Sequence, residues 1–213
     1  MRRYANRSDA GRELAAALER GHDLENAIVL GLPRGGVPVA YEIAQALSLP
    51  LDVLVVRKLG VPAQPELAMG AVASGGAVVW NEDVLRFLPI GDEERDRVIA
   101  RERAELERRE LAYRGRRPSL ALSGRVVILV DDGLATGATM EAAVRSVRQL
   151  GAGRVIVAVP VAAPESRDRI AGLADEVVCL HAPAFFSAVG QWYQDFSQTS
   201  DQEVERLLQD GGG

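Results

Sequence analysis

The segment that decides the fold runs from Val126 to Met140 and reads Val-Val-Ile-Leu-Val-Asp-Asp-Gly-Leu-Ala-Thr-Gly-Ala-Thr-Met. Its apolar beginning predicts a buried strand, and two adjacent acidic residues, Asp131 and Asp132, stand where that strand ends. Small and hydroxyl residues then lead into a predicted helix. Ligands of open α/β sheets bind beyond the carboxyl ends of the strands. We therefore expect a ligand site at this point of the chain.

The loop after the two aspartates has the composition of a phosphate-binding loop. Backbone N–H groups at a helix start are unpaired within the helix and attract anions. The residues that would hold a phosphate are Ala135, Thr136, Gly137, Ala138 and Thr139. The segment has neither the Gly-Lys-Ser/Thr ending of a Walker loop nor the Gly-x-Gly-x-x-Gly of a dinucleotide-binding loop.

An ordinary strand, turn and capped helix would explain the Gly and Thr residues of this segment. It explains the neighbouring carboxylates of Asp131 and Asp132 poorly, because their repulsion and desolvation are unfavourable unless a ligand or cation meets them. Carboxylates accept hydrogen bonds from vicinal hydroxyls. The combination therefore favours a ribose 5-phosphate, with the phosphate in the loop and the sugar diol on the acids.

Apolar strands alternate with helices over most of the chain. This pattern predicts an α/β fold with a doubly wound, mainly parallel sheet and helices on both faces, in one domain over residues 1–213. The predicted strands are residues 27–30, 51–56, 125–130, 155–161 and 176–180. The predicted helices are residues 8–20, 37–47, 138–150, 165–173 and 201–209, with Ser8 as the first cap.

The middle of the chain departs from this alternation. Two Pro and one Gly predict a loop over residues 59–67, followed by a hairpin of strands 69–73 and 77–80. Residues 81–120 are predicted as a helical insertion. Its charged helix, residues 92–114, carries Ile99, Leu106 and Tyr113 at heptad spacing, which fits a solvated helix with one buried seam or a partner-binding helix.

Residues 126–140 resemble the phosphoribosyl pyrophosphate (PRPP) motif of the type I phosphoribosyltransferases, in which apolar residues precede two acids and a Thr-Gly-x-Thr loop. The resemblance implies the same fold with a small C-terminal hood, residues 181–210. It implies that Asp131 and Asp132 hold the ribose hydroxyls and that Ala135 to Thr139 hold the 5-phosphate. Ala135 stands where the hypoxanthine-guanine branch has an Asp proposed as a base, and alanine cannot move a proton. The resemblance therefore disfavours that branch.

An earlier Gly-rich turn is the second part of this resemblance. Pro33, Arg34, Gly35 and Gly36 follow a predicted strand, and an ordinary βα turn would explain the glycines but not the arginine. In the family the corresponding loop binds pyrophosphate, often with an unusual cis peptide, and Arg34 would add a charged donor.

A basic pair, Arg57 and Lys58, ends the next predicted strand. In the family a flexible loop at this place closes over the substrates, so both residues become pyrophosphate candidates and Lys58 a catalytic candidate with Arg34, Asp131 and Asp132. A basic pair at a strand end is often only solvated. Lys58 is nevertheless the one lysine among the 25 basic residues, the others being arginine.

Composition limits the possible functions. The 213 residues are 47% hydrophobic and 26% charged with a net charge of −5, which excludes a disordered chain and disfavours nucleic acid as a partner. The sequence shows neither a membrane span nor a signal peptide, so we expect a cytoplasmic protein. His22 and His181 are too few for a zinc site. Whether the chain forms a homo-oligomer stays open.

The expected reaction transfers the phosphoribosyl group of PRPP to a nitrogenous base or related acceptor and releases pyrophosphate. The expected cofactor is Mg²⁺, bound mainly through PRPP and without a direct protein ligand. The acceptor is unknown. A C-terminal aromatic group could stack on a base or form a satellite core, and it comprises Phe185, Phe186, Trp192 and Tyr193. The alternative function is a non-catalytic regulator that binds PRPP or a nucleotide on the same fold.

Overall fold

The computed structural model describes residues 3–21, 23–115, 117–118 and 120–211. The strands of its main sheet are β1 (Ala27–Gly31), β2 (Leu51–Val53), β6 (Val126–Val130), β7 (Arg154–Val161) and β8 (Glu176–His181). These five strands are parallel and lie in the order β2-β1-β6-β7-β8. The helices are α1 (Arg7–Glu19), α2 (Gly36–Leu47), α3 (Glu82–Phe87), α4 (Asp92–Arg114), α5 (Ala138–Gln149), α6 (Pro164–Ala171) and α7 (Asp201–Gly211). The predicted parallel α/β sheet is confirmed.

Helices cover both faces of this sheet, which is why its inner strands β1 and β6 are apolar. Side chains alternate along β6, so that Ile128 packs in a core with α1, α2 and α7, while Val127 and Leu129 pack in a second core with α5 and α6. No helix within the described ranges has the length and apolarity that crossing a membrane would require.

A second, antiparallel sheet of three strands corrects two predictions. Its strands are β3 (Val56–Val61), β4 (Gln64–Ala73) and β5 (Val78–Trp80), in the order β3-β4-β5. Residues 51–56 are therefore not one strand, because the chain leaves the parallel sheet after Val53. Residues 59–67 are not a loop. Pro62 occupies the tight turn, and Pro65 lies in β4 opposite an irregular register at Gly60, where a strand tolerates such residues.

The predicted hairpin of residues 69–73 and 77–80 is confirmed by the pairing of β4 with β5. The first helix begins at Arg7 rather than after Ser8, because the Asn6 side chain accepts a hydrogen bond from the Asp9 N–H. α3 lies within residues 81–120, which were predicted as a helical insertion, although no separate helix was predicted there.

The charged helix α4 packs against β3 and α7. Its buried residues include Val98, Leu106 and Tyr113, which belong to the main core, and Ile99 packs at the edge of that core. The apolar seam of α4 is therefore turned inward, which agrees with a solvated helix that buries one stripe.

Candidate active site

Two carboxylates lie at the carboxyl edge of the parallel sheet. Asp131 and Asp132 directly follow β6, the central strand, and both side chains are partly buried. Burial raises the pKa of Asp131 well above its ordinary value, and the neighbouring Asp132 charge raises it further. Burial also raises the pKa of Asp132, although the Arg7 guanidinium acts in the opposite direction. The pair therefore concentrates negative charge in a place where water stabilises it poorly.

Arg7 is a member of the site that the sequence did not indicate. Its Nε donates a hydrogen bond to Asp132 Oδ2 at 2.9 Å, across 125 positions of the chain. Nη1 donates to the Ser197 carbonyl at 2.7 Å, and the guanidinium lies 4.0 Å from the centroid of the Phe196 ring. Arg7 thus joins the first helix, the acid pair and the C-terminal segment. No local pattern distinguishes it from the other arginines.

The Gly-rich turn between β1 and α2 lies directly against the acid pair. A Cβ atom at Gly35 would overlap the Asp132 carboxylate, and one at Gly36 would lie 2.5 Å from the Val130 carbonyl oxygen. The Leu32 N–H donates to that same oxygen at 2.9 Å. Glycine is therefore required at both positions for the close approach. The peptide bond between Pro33 and Arg34 is cis, as the resemblance implied.

The predicted phosphate loop enters α5 through Gly137, whose φ of 71° lies in the left-handed region. α6 supports this loop from one side: the Ser166 hydroxyl donates to the Ala135 carbonyl at 2.6 Å, and the Arg169 guanidinium donates to the Thr136 carbonyl. Ala135, Thr136 and Ala138 are exposed, and Thr139 is partly exposed. The loop therefore presents a helix start to solvent next to the acid pair. Ser166 and Arg169 were not predicted.

The three predicted basic residues have different surroundings. Arg57 is bound to the buried carboxylate of Glu102 on α4, with its Nη2 2.7 Å and its Nε 3.0 Å from Oε2. Lys58 is exposed and lines a cavity of about 410 Å³ together with Thr139 and Trp80. Arg34 lies in a smaller cavity of about 150 Å³, with its Nη1 3.8 Å from Asp201 Oδ1. Successive side chains of a strand point to opposite faces, so Arg57 and Lys58 on β3 have different surroundings.

The four C-terminal aromatic residues differ in how far they are buried. Trp192 and Tyr193 are buried in a small third core with Tyr4, and Phe186 packs at its edge, whereas Phe185 is 88% exposed. The Tyr193 hydroxyl donates to the Asp132 carbonyl oxygen at 2.6 Å. Tyr193 therefore supports the backbone of the acid pair. An acceptor contact by any of these rings stays a prediction.

The described part of the chain contains no group of three His, Cys, Asp or Glu side chains suited to hold a metal ion. His22 lies outside the described residues. What the site offers is two carboxylates between a helix start and a Gly-rich turn. Such an arrangement can bind a polar ligand that carries hydroxyls next to a phosphate.

Comparison with known proteins shows the family of this chain. The profile of the phosphoribosyl transferase domain matches residues 3–195. A Mycobacterium tuberculosis (strain H37Rv) protein named "Putative phosphoribosyl transferase Rv0571c" is 50% identical over 208 residues, which cover 98% of this chain and 47% of that protein. The chain thus spans about half the length of this curated relative.

A solved structure is similar over its whole length. The crystal structure of TT1426 from Thermus thermophilus is 48% identical, with a TM-score of 0.89 and coverage of 100% of both chains. The match to the domain profile and the identity to these relatives extend far beyond the 15 residues of the motif. The chain belongs to the phosphoribosyl transferase domain family.

Proposed function

We propose that this protein transfers the 5-phosphoribosyl group of PRPP to a nitrogen nucleophile and releases pyrophosphate. The observation that carries the proposal is the contact of the Gly35-Gly36 turn with the Asp131-Asp132 pair, next to the open start of α5. A site for a plain phosphate would need the helix start alone. The buried acid pair adds acceptors for a sugar diol.

The roles of the residues follow from their chemistry. Asp131 and Asp132 accept hydrogen bonds from the ribose hydroxyls, and the N–H groups of residues 135–139 hold the 5-phosphate. Thr136 and Thr139 add hydroxyl donors. Arg7 fixes the Asp132 carboxylate through its 2.9 Å contact, so it is a positioning residue rather than a catalytic one.

The reaction breaks the bond between C1 of the ribose and the pyrophosphate oxygen, which leaves with the electron pair. The acceptor nitrogen forms the new bond to C1 from the opposite face and then loses its proton. Positive charge develops on the ring and negative charge on the leaving group, so the protein contributes mainly by position and electrostatics. The Gly-rich turn, Arg34 and Lys58 stabilise the leaving pyrophosphate, while the acid pair stabilises the ring.

The acid pair also fits a role for Mg²⁺. Carboxylate oxygens are hard donors that suit this ion. A nearby cation offsets the burial that raises both pKa values and the repulsion from Asp132 that raises the pKa of Asp131 further. The ion would be held mainly by PRPP, with Asp131 and Asp132 beside it. When bound, it supplies neutralising charge to the pyrophosphate. The cytoplasmic location expected from the sequence is part of this proposal.

The test is pyrophosphate release from PRPP and Mg²⁺ with a panel of purine, pyrimidine and other nitrogen acceptors. We expect release with at least one acceptor, and we expect Asp132→Asn to lower kcat/KM about 100-fold or more, because the ribose loses its alignment. Asp92→Asn is the matched control, since that carboxylate is 96% exposed at the start of α4. PRPP binding by calorimetry without turnover on any acceptor would support a regulatory protein instead.

A further inference from the structure

Two arginines beside the Gly-rich turn, Arg108 and Arg109, have no role in the site described above. They line the cavity of about 150 Å³, whose lining residues are Arg34, Arg108, Arg109, Ala112, Tyr113 and Asp201. Arg34 belongs to the turn that touches the acid pair, whereas Arg108 and Arg109 belong to α4. Arg34 is therefore the candidate-site residue that lines the same cavity as the charged helix.

Glu105 holds the two α4 arginines in place. Its carboxylate accepts hydrogen bonds from Arg108 Nε and Nη2 at 2.8 and 2.9 Å, and from Arg109 Nε at 2.7 Å. These contacts lower the pKa of Glu105 to about 2, so it stays charged. A guanidinium has five N–H donors, and Glu105 uses only two of those on Arg108 and one of those on Arg109. Both arginines keep donors for a ligand.

Asp201 and Tyr113 complete the cavity. The Tyr113 hydroxyl donates to Asp201 Oδ1 at 2.7 Å, and the same oxygen lies 3.8 Å from Arg34 Nη1. At that distance Arg34 and Asp201 attract each other without a hydrogen bond. A phosphate oxygen entering the cavity would replace this long contact with short, charge-assisted hydrogen bonds. Asp201 therefore acts as a weak internal competitor for an anion.

We propose that Arg108 and Arg109, together with Arg34, bind the distal phosphate of the pyrophosphate group. This inference rests on the proposed function, because it assigns the leaving group to the site. Arg34 is the link, since its backbone lies in the turn against the acid pair and its side chain lies in the cavity. α4 then contributes directly to the choice of a diphosphorylated donor over a monophosphate.

The experiment compares three probes by calorimetry, all with Mg²⁺: inorganic pyrophosphate, PRPP and ribose 5-phosphate. In the double variant Arg108→Ala, Arg109→Ala we expect the Kd of pyrophosphate and of PRPP to rise about tenfold or more, since each charged hydrogen bond contributes appreciably. The Kd of ribose 5-phosphate should not change. Arg97→Ala is the matched control, because Arg97 also pairs with a glutamate on α4 and is 76% exposed.

Asp201→Asn is a second variant, and its expected effect is a higher affinity for pyrophosphate. The amide still accepts a hydrogen bond from Tyr113 but no longer competes for Arg34, so pyrophosphate should bind severalfold more tightly. Damage to the fold would not produce such a gain. Unchanged or weaker binding in this variant would overturn the inference. So would an equal loss for all three probes in the double arginine variant, or the same loss in Arg97→Ala.

The two proposals fail in different ways. If no acceptor is phosphoribosylated but the double variant loses affinity for pyrophosphate, the anion site stands and the proposed function falls. If turnover occurs and the Kd of pyrophosphate is unchanged in the double variant, only the anion site is refuted.

Discussion

The parallel and antiparallel sheets of this protein place their polar groups differently. The inner parallel strands are buried on both faces, so polar groups lie beyond their ends, as Asp131 and Asp132 do after β6. The antiparallel strand β3 instead directs neighbouring residues to opposite sides. Arg57 pairs with Glu102 on α4, whereas Lys58 faces the 410 Å³ cavity. In the parallel sheet, a polar residue that directly follows a strand lies at the site. In the antiparallel sheet, the role of a polar residue depends on which face of the strand its side chain occupies.

The largest effect is expected at the edge of the parallel sheet. Gly35→Ala places a methyl group in the space of the Asp132 carboxylate, so the turn or the aspartate must move. Overpacking of this kind destabilises by about 1–3 kcal/mol, and a displacement of about 1 Å can lower turnover about 100-fold. We expect both losses, in urea unfolding and in kcat/KM for PRPP.

The control for this variant is Gly91→Ala. A Cβ at Gly91 would have no neighbour within 4 Å, and its φ of −62° suits any residue. Gly91 is the N-cap of α4, so its replacement by alanine should cost at most about 1 kcal/mol of stability, and kcat/KM for PRPP should not change. Similar losses in both variants would show that the contact with Asp132 is not the cause.

A smaller effect is expected from the two neighbouring cations of β3. Removing one partner of a buried ion pair costs about 3–5 kcal/mol, and we reduce this to about 2 kcal/mol for Arg57→Ala because the Arg57 side chain is 29% exposed. Lys58→Ala should change the free energy of unfolding by less than about 0.5 kcal/mol while lowering kcat/KM for PRPP. Urea unfolding of both variants measures the contrast. Equal destabilisation would mean that the two side chains do not differ in burial as described.

The smallest expected effect is a gain in stability when Asp131 is replaced by asparagine. Asp131 has a pKa raised above its ordinary value of 3.8 by burial and by Asp132, so the native state binds a proton more tightly than the unfolded chain. Stability contributed by this group therefore falls as pH rises from about 3.8 through the raised pKa. We expect Asp131→Asn to be more stable than the natural protein at pH 7, because the amide has no charge to desolvate there. The gain should vanish near pH 3.5.

Asp92→Asn, at an exposed carboxylate, should show no such pH-dependent gain. Urea unfolding of both variants at pH 7 and pH 3.5 measures the difference. A loss of stability in Asp131→Asn at pH 7 would mean that the carboxylate is stabilised, rather than strained, by its surroundings.

Much of the fold and part of the candidate site could be predicted from the sequence. Continuous apolar runs indicated the parallel strands, and the acids, the helix start after them and the Gly-rich turn were recognised by local composition. The second sheet was partly missed because Pro and Gly in residues 59–67 look like loop residues until a partner strand accommodates them. Arg7 and Arg169 were missed for another reason, since each acts through contacts distant in sequence.

The sequence by itself determined which segments are buried and which carry acids, glycines or hydroxyls, because burial and helix or strand periodicity are local properties. Only the tertiary structure decided what these groups meet. It brought Gly35 against Asp132, paired Arg7 with the same carboxylate, and placed Arg34 beside two arginines of α4. Such contacts depend on strand order and helix packing, which relate residues up to 125 positions apart.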